Sequence, residues 1–274
     1  MTRTLLLTAG GLAATLLVLY GLVLAWLWFQ QEKLLFFPQP LPQDQRIAVE
    51  PGVHELQVQV PGAQLSVLHM QLPAPKGVVF FLHGNAGNLA GWFTNTSLYR
   101  RANYDLVMLD YRGYGKSTGR IESEQQLRDD AMAVWKAVAP RYAGRKVVIH
   151  GRSLGTALAA DLAATLGMTG PGPDLTVLVT PYSSVRALAA EVYPWVPAAL
   201  LRYPLDTLRS AQGVRGPILL VHAERDELIG LHHAQRLAQA LPAARLEVIR
   251  GAGHNDVHAF ERYEALMLNA LAGL

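Results

Sequence analysis

The chain has 274 residues, no cysteine, and 24 basic against 21 acidic residues, a formal net charge of +3. This excludes disulfides, thiolate metal sites and a cysteine nucleophile, and basic residues spread thinly along the chain argue against nucleic-acid binding. The length suits one large α/β domain with ample core.

Residues 5–29 carry no charge and are dominated by Leu, Ala, Val, Gly and aromatics, enough to cross about 30 Å of hydrocarbon as a helix. Tyr20, Trp26, Trp28 and Phe29 gather toward the far end, as an interfacial aromatic belt would. A cleaved signal peptide fits less well, because the run ends in Trp-Leu-Trp-Phe-Gln-Gln-Glu-Lys and not in a small-x-small site. The expected partner of this segment is therefore a lipid bilayer. The α-amino group and Arg3 form a short cationic tail that favours the cytoplasm, against Lys33 and Arg46 on the other side, so the domain is expected outside it. Arginine in excess of lysine, with abundant Ala, Gly and Pro, suggests a GC-rich bacterial genome, hence an inner membrane with the domain on its extracytoplasmic side.

Residues 1–33 thus read as an anchor, 34–52 as a Pro- and Gln-rich tether laid along the domain, and 53–274 as the domain itself. Leu56-Gln57-Val58-Gln59-Val60 and Leu65-Ser66-Val67-Leu68-His69-Met70 alternate across Pro61-Gly62, which predicts an antiparallel hairpin. Val78 to Leu82, Leu106 to Leu109, Val147 to Ile149, Thr176 to Val179 and Ile218 to Val221 are short continuous apolar runs, the pattern of parallel strands buried on both faces. A further strand is expected over Leu246 to Ile249. Helical periods over Glu124 to Val138, Thr156 to Leu166, His232 to Leu241 and Val257 to Leu271 alternate with these runs. The expected fold is a mostly parallel, doubly wound α/β sheet with an antiparallel hairpin at one edge. Ligands of such sheets bind beyond the carboxyl ends of the strands.

Gly151-Arg152-Ser153-Leu154-Gly155 lies where the run Val147 to His150 turns into a small-residue helix. That is the setting of a nucleophile elbow, in which glycines flank a strained serine because strand and helix pass close together. Gly115-Lys116-Ser117-Thr118-Gly119 matches the same string but follows a polar Gly-rich stretch and precedes no such helix, so Ser117 reads as a loop residue. It completes no P-loop either, since Asp110 stands where the first glycine is required. A serine nucleophile needs a histidine base and an orienting carboxylate. Asp226, just past the run Ile218 to Val221, and His254, within Gly251-Ala252-Gly253-His254-Asn255-Asp256, supply them in the order Ser, Asp, His. Glu224 and Glu227 are rivals for the acid. His254 and His258 lie four apart without a Glu or Cys partner, so no metal site is expected. The oxyanion hole is expected from the N–H of Leu154 and that of Asn85, in the loop His83-Gly84-Asn85-Ala86-Gly87-Asn88, with Ala86 as alternative. Residues 181–208, rich in Tyr, Trp, Pro and Leu, read as a short lid, with Tyr182, Tyr193 and Trp195 as candidate substrate-binding residues and packing as the equal alternative.

Four blocks carry a resemblance: Phe81 to Asn88, Asp110 to Ser117, His150 to Gly155, and the Asp226 and His254 segments. Together they resemble the α/β-hydrolase superfamily, and in particular its membrane-anchored, short-lid α/β-hydrolase-domain proteins. The resemblance implies an α/β-hydrolase fold and esterase, lipase-like or thioesterase activity on acyl substrates, without a cofactor. Thr156, Ala223 and Gly230 depart from the usual Gly, Gly and Pro of relatives. Peptidases share the same blocks, and a scaffold that kept the fold but lost the chemistry is the reading outside enzymes.

Overall fold

The computed structural model describes residues 2–274; Met1 and the side chains of residues 2–6, including the Arg3 charge used for orientation, lie outside the described residues. An N-terminal helix, α1 (Thr2–Leu35), leads into β1 (Phe37–Pro38), β2 (Val53–Val60), β3 (Ala63–Met70), β4 (Gly77–Leu82), β5 (Ala86–Gly87), α2 (Leu89–Trp92), α3 (Thr96–Ala102) and β6 (Tyr104–Leu109). Helices and strands then alternate: α4 (Glu124–Val138), β7 (Lys146–Arg152), α5 (Gly155–Thr169), β8 (Leu175–Val179), α6 (Val185–Val192), α7 (Thr207–Ala211), β9 (Ile218–Ala223), α8 (Leu231–Ala240), β10 (Ala244–Ile249) and α9 (Glu261–Ala272).

The main sheet has eight strands in the order β10-β9-β8-β7-β4-β6-β3-β2. β2 pairs antiparallel with β3, and β3 antiparallel with β6; the remaining neighbours are parallel. Alternation in β2 follows from its edge position, whereas β4, β6, β8 and β9 are buried throughout because helices cover both faces. Leu127 of α4, Leu158 of α5 and Leu237 of α8 pack on one face, with Leu82, Ile149, Leu178 and Leu220. Leu98 of α3 and Tyr263 and Met267 of α9 pack on the other, with Phe81, Met108, Val148 and Val221. Each such large apolar side chain removed from water contributes roughly 1.5–3 kcal/mol.

Two expectations shift in detail. The last helical period runs unbroken from Val257 in sequence, but Val257–Ala259 forms a separate 3₁₀ turn and Phe260 adopts extended backbone before α9 begins. Residues 34–52 contribute β1, which pairs in parallel with β5 as Phe37↔Ala86 and Pro38↔Gly87.

The span Leu7–Leu35 within α1 is long and apolar enough to cross a membrane. Its last turns are bound to the segment between α6 and α7. Gln31 Nε2 donates to Leu200 O (2.6 Å), and Gln31 Oε1 accepts from Arg202 N (2.8 Å). Glu32 accepts from Tyr203 Oη (2.7 Å) and pairs with Arg202 (2.7 Å), whose guanidinium lies over Trp28.

Candidate active site

Ser153 sits between the end of β7 and the start of α5 with φ +50°, in the left-handed region a non-glycine residue rarely occupies. The strain is held by its neighbours: Ser153 N donates to Val179 O (2.9 Å). The elbow glycines are needed for space. A Cβ on Gly151 would stand 2.4 Å from Gly155 O, and one on Gly155 would stand 2.1 Å from Leu82 O. Ser117 has a different place. It is buried, its Oγ donating to Asp110 O and accepting from Ser66 N.

His254 Nε2 lies 3.0 Å from Ser153 Oγ, and His254 Nδ1 lies 2.8 Å from Asp226 Oδ2. With Nδ1–H donating to the carboxylate, Nε2 presents its lone pair to the serine hydroxyl. Asp226 Oδ1 also accepts from Leu228 N (3.0 Å) and Ile229 N (2.8 Å). Burial alone would raise this carboxyl, but the His254 bond and the Ile229 and Leu228 N–H groups outweigh it and hold it below the usual carboxylate range. The rival acids serve elsewhere: Glu224 accepts from Gly251 N and Glu227 from His254 N, so both brace the histidine loop.

The Asn85 loop is fixed from three sides. Phe37 N (2.8 Å) and Tyr114 Oη (2.5 Å) donate to Asn85 O, and Asn85 Nδ2 donates to Leu35 O. His83 Nδ1 is 2.7 Å from Gly84 O. Gly84 C=O and Asn85 N–H belong to one planar trans peptide, so this bond orients the Asn85 N–H in the opposite direction. On the other side of the serine, Thr156 Oγ1 donates to Ser153 O (2.6 Å) and thereby orients the peptide that carries the Leu154 N–H.

Behind the loop, Asp110 Oδ1 accepts from Leu89 N and lies 3.7 Å from His83 Nε2. Burial pushes the Asp110 carboxyl up to about 7 and the His83 ring down to about 4. The two thus form a neutral pair near the middle of that range.

A cavity of about 260 Å³ opens beside Ser153 and His254, lined by Gly84, Asn85, Ala86, Trp92, Leu154, Tyr182, Val185, Leu188, Leu228 and Ile229, and by Leu34 and Leu35 from α1. Tyr182 is in this wall, its hydroxyl donating to Leu154 O. Tyr193 and Trp195 are not: α6 ends at Val192 and the chain turns outward, leaving them 53% and 49% exposed. A larger cavity, about 630 Å³, lies away from the serine against Phe29, Phe36 and Arg112.

Sequence reasoning passed over Arg152. Buried under Trp92, it donates to His254 O (3.2 Å) and Asn255 O (3.0 Å) and lies 3.1 Å from His258 Nδ1, so it ties the elbow to the histidine loop. Its only sequence signal is its place before Ser153. His83 and Asp110 were visible only as members of the blocks that carry the resemblance, and Thr156 only as a departure from it, with no periodicity to mark their bonds. His254 has both ring nitrogens on Asp226 and Ser153, and His258 Nδ1 lies 3.1 Å from Arg152. Among the described residues, Glu191, His232 and His233 bring possible ligand atoms within 4.8 Å of one another. Ser183 N donates to His233 Nδ1, however, which leaves a neutral ring with its proton on Nε2, 3.4 Å from Glu191, and no lone pair of that ring free for a metal.

Residues 73–204 match the family model described as serine aminopeptidase, S33. An uncharacterized protein of Mycobacterium tuberculosis is 30% identical over 85% of this chain and 84% of its own length. Human alpha/beta hydrolase domain-containing protein 17B is 31% identical over 70% of this chain and 65% of its own. Among solved structures, the Pyrococcus furiosus esterase Pf2001 superposes with TM-score 0.68 at 16% identity, covering 86% of this chain and 97% of that one. An alpha-beta hydrolase of Vibrio vulnificus gives TM-score 0.68 at 21% identity, covering 81% of each chain. With its sheet order, its elbow and these relatives, the chain belongs to the α/β-hydrolase superfamily, and it is a hydrolase of that kind.

Proposed function

We propose that the protein is a membrane-anchored serine hydrolase that cleaves acyl esters or thioesters through a Ser153–His254–Asp226 triad. The observation that carries this reading is the imidazole of His254, hydrogen-bonded to Ser153 Oγ through one nitrogen and to Asp226 through the other. His254 Nε2 takes the Ser153 proton as Oγ attacks the carbonyl carbon, and Asp226 steadies the resulting imidazolium. The N–H groups of Asn85 and Leu154 receive the developing oxyanion, the latter at the start of the 15-residue helix α5, whose dipole favours negative charge there. Collapse of the tetrahedral intermediate returns the proton from Nε2 to the leaving oxygen or sulfur. Water, deprotonated by the same nitrogen, then releases the acid.

The wall of Tyr182, Val185, Leu188, Leu228 and Ile229 suits an acyl chain. An aminopeptidase would need a carboxylate free to hold the substrate ammonium; near the serine Asp226 faces His254, and Glu227 accepts from the His254 N–H. The ester or thioester reading is therefore preferred over the peptidase one. The anchor is read as retained and not cleaved, since Gln31 and Glu32 are bonded into the lid at residues 181–208 and Leu34 and Leu35 form part of the cavity. A bacterial inner membrane with the domain outside it remains the proposed location.

Purified protein should react with a fluorophosphonate probe at Ser153. Ser153→Ala should abolish labelling and lower ester turnover by about 10³-fold or more with folding kept. An unlabelled, inactive wild-type protein would favour the scaffold reading, and preference for aminoacyl amides over acyl esters the peptidase one.

A further inference from the structure

We propose that the tip of the lid, Val192 to Trp195, is immersed in the same bilayer that α1 crosses, so that acyl substrate reaches Ser153 from the lipid phase and not from water. The part concerning substrate rests on the hydrolase reading above; the immersion does not.

The depth of the tip follows from the helix beside it. Tyr20 Oη donates to Trp195 O (2.8 Å), which puts Trp195 at the level of Tyr20 on α1. A hydrocarbon core about 30 Å thick takes about 20 helical residues at 1.5 Å each. Counted from Leu5, the first apolar residue of the uncharged run, the core ends near residue 25. Tyr20 therefore falls short of the boundary on the lipid side, and Trp195 falls there with it. A tilt of about 20° carries the far boundary farther along the helix, not nearer. The polar residues that fix the depth lie beyond that boundary: Gln31 and Glu32, bonded to Leu200, Arg202 and Tyr203.

The surface has the chemistry of a bilayer-facing one. Val192, Tyr193 and Trp195 are each about half exposed or more, and the Tyr193 and Trp195 rings pack edge to face, presenting apolar bodies outward. Three such side chains at one tip, beside a span, fit a lipid interface, where Tyr and Trp are enriched. α6 connects this tip to the site. Val185 and Leu188, on its first turns, line the cavity at Ser153, and its last residue, Val192, begins the tip. Leu34 and Leu228, both on the cavity rim, are exposed as well. α6, eight residues and about 12 Å long, thus spans the distance from the tip to the cavity at Ser153.

Because the chain has no cysteine, single labels can be placed directly. The full chain carrying Trp195→Cys is labelled with a nitroxide, reconstituted in phosphatidylcholine–phosphatidylglycerol vesicles, and compared with Val49→Cys, an exposed position in the segment between β1 and β2. Immersion predicts a several-fold higher ratio of oxygen to nickel-chelate accessibility at 195 than at 49. Equal chelate accessibility at the two positions overturns the proposal. Tyr193→Cys gives the same reading should the first variant fail to insert. In a second arm, Trp195→Ser is expected to lower hydrolysis of a long-chain ester embedded in vesicles several-fold and to leave a soluble short-chain ester unaffected; equal loss or no loss on both overturns lipid-phase access. Fluorophosphonate labelling of Ser153 in the same samples reports on the hydrolase reading separately, so an unlabelled serine with an immersed tip would sink that reading and leave the immersion standing.

Discussion

Gly151→Ala isolates the demand that the elbow makes on its sequence. The added Cβ would stand 2.4 Å from Gly155 O, 2.6 Å from Ala159 Cβ and 2.7 Å from Thr156 Cα, whereas ordinary contact begins at 3.4 Å. All three atoms belong to the first turns of α5, and two of them are backbone, so no side chain can swing away. The start of the helix must retreat by about 3.4 − 2.4 = 1.0 Å. Overpacking of this kind costs roughly 1–3 kcal/mol, or a fall of several degrees in Tm for a domain of this size. The retreat also moves Leu154 N–H and Ser153 Oγ away from His254, which lies 3.0 Å from that oxygen. A displacement of about 1 Å at a reacting centre lowers turnover by about 10²-fold. Hydrolysis of a soluble p-nitrophenyl ester and thermal unfolding in detergent would be measured beside Gly91→Ala, where a new Cβ meets nothing within 4 Å. Equal rate and Tm in the two variants would refute the steric account of the elbow.

Asp226→Asn should lower kcat by about 10⁴-fold with little change in KM, since the amide no longer fixes the imidazole tautomer; steady-state kinetics on the same ester check this, and a loss confined to KM would contradict it. Asp110→Asn probes the buried neutral pair. A carboxyl raised to about 7 binds a proton in the folded state that the unfolded chain releases near pH 4, so its contribution to native stability falls as pH rises between those values, on the order of 1 kcal/mol per pH unit, against the opposite contribution of His83, which is lowered to about 4. The Asn variant should lose that slope in denaturant titrations at pH 5 and pH 8, and an unchanged slope would count against it. Arg152→Met should reduce turnover about 10-fold or more, because the His254 and Asn255 carbonyls lose their buried donor; a fully active variant would show that the elbow does not need this tie to the histidine loop.

Much of the arrangement was legible because it rests on local pattern. Val78 to Leu82 and Ile218 to Val221 read as buried parallel strands from continuous apolar runs, and they are β4 and β9. The convergence of Ser153, Asp226 and His254 followed from strand-end positions along the chain, which the parallel sheet brings to one rim. Features resting on pairing at long range were not legible. β1 and β5 are two residues each, too short for any periodic signal, and the Gln31 bonds join residues far apart in sequence. Tyr193 and Trp195 were expected in the pocket wall from composition alone. Composition does not say where α6 stops, and its end at Val192 turns both rings outward.

The peptides on either side of the oxyanion site are set from their carbonyl ends. Gly84 O is held by His83 and Ser153 O by Thr156, and because each peptide is planar, fixing the carbonyl aims the N–H that shares its plane. This gives a physical role to the hydroxyl of Thr156. Thr156→Val keeps the shape of the side chain and removes only the bond to Ser153 O. A lost oxyanion donor costs about 10²–10³ in rate; a donor still present but less firmly aimed should cost less, about 10-fold in kcat, with KM and fluorophosphonate labelling kept. A kcat equal to that of the parent would mean that the Thr156 N–H, 2.9 Å from the same carbonyl, aims the peptide unaided. The Asn85 side is tied in a different way, through Leu35 O at the end of α1 and Phe37 N in β1. One proposed donor is thus fixed within the domain and the other against the N-terminal segment, so the helix proposed here as a membrane anchor also braces the proposed oxyanion site.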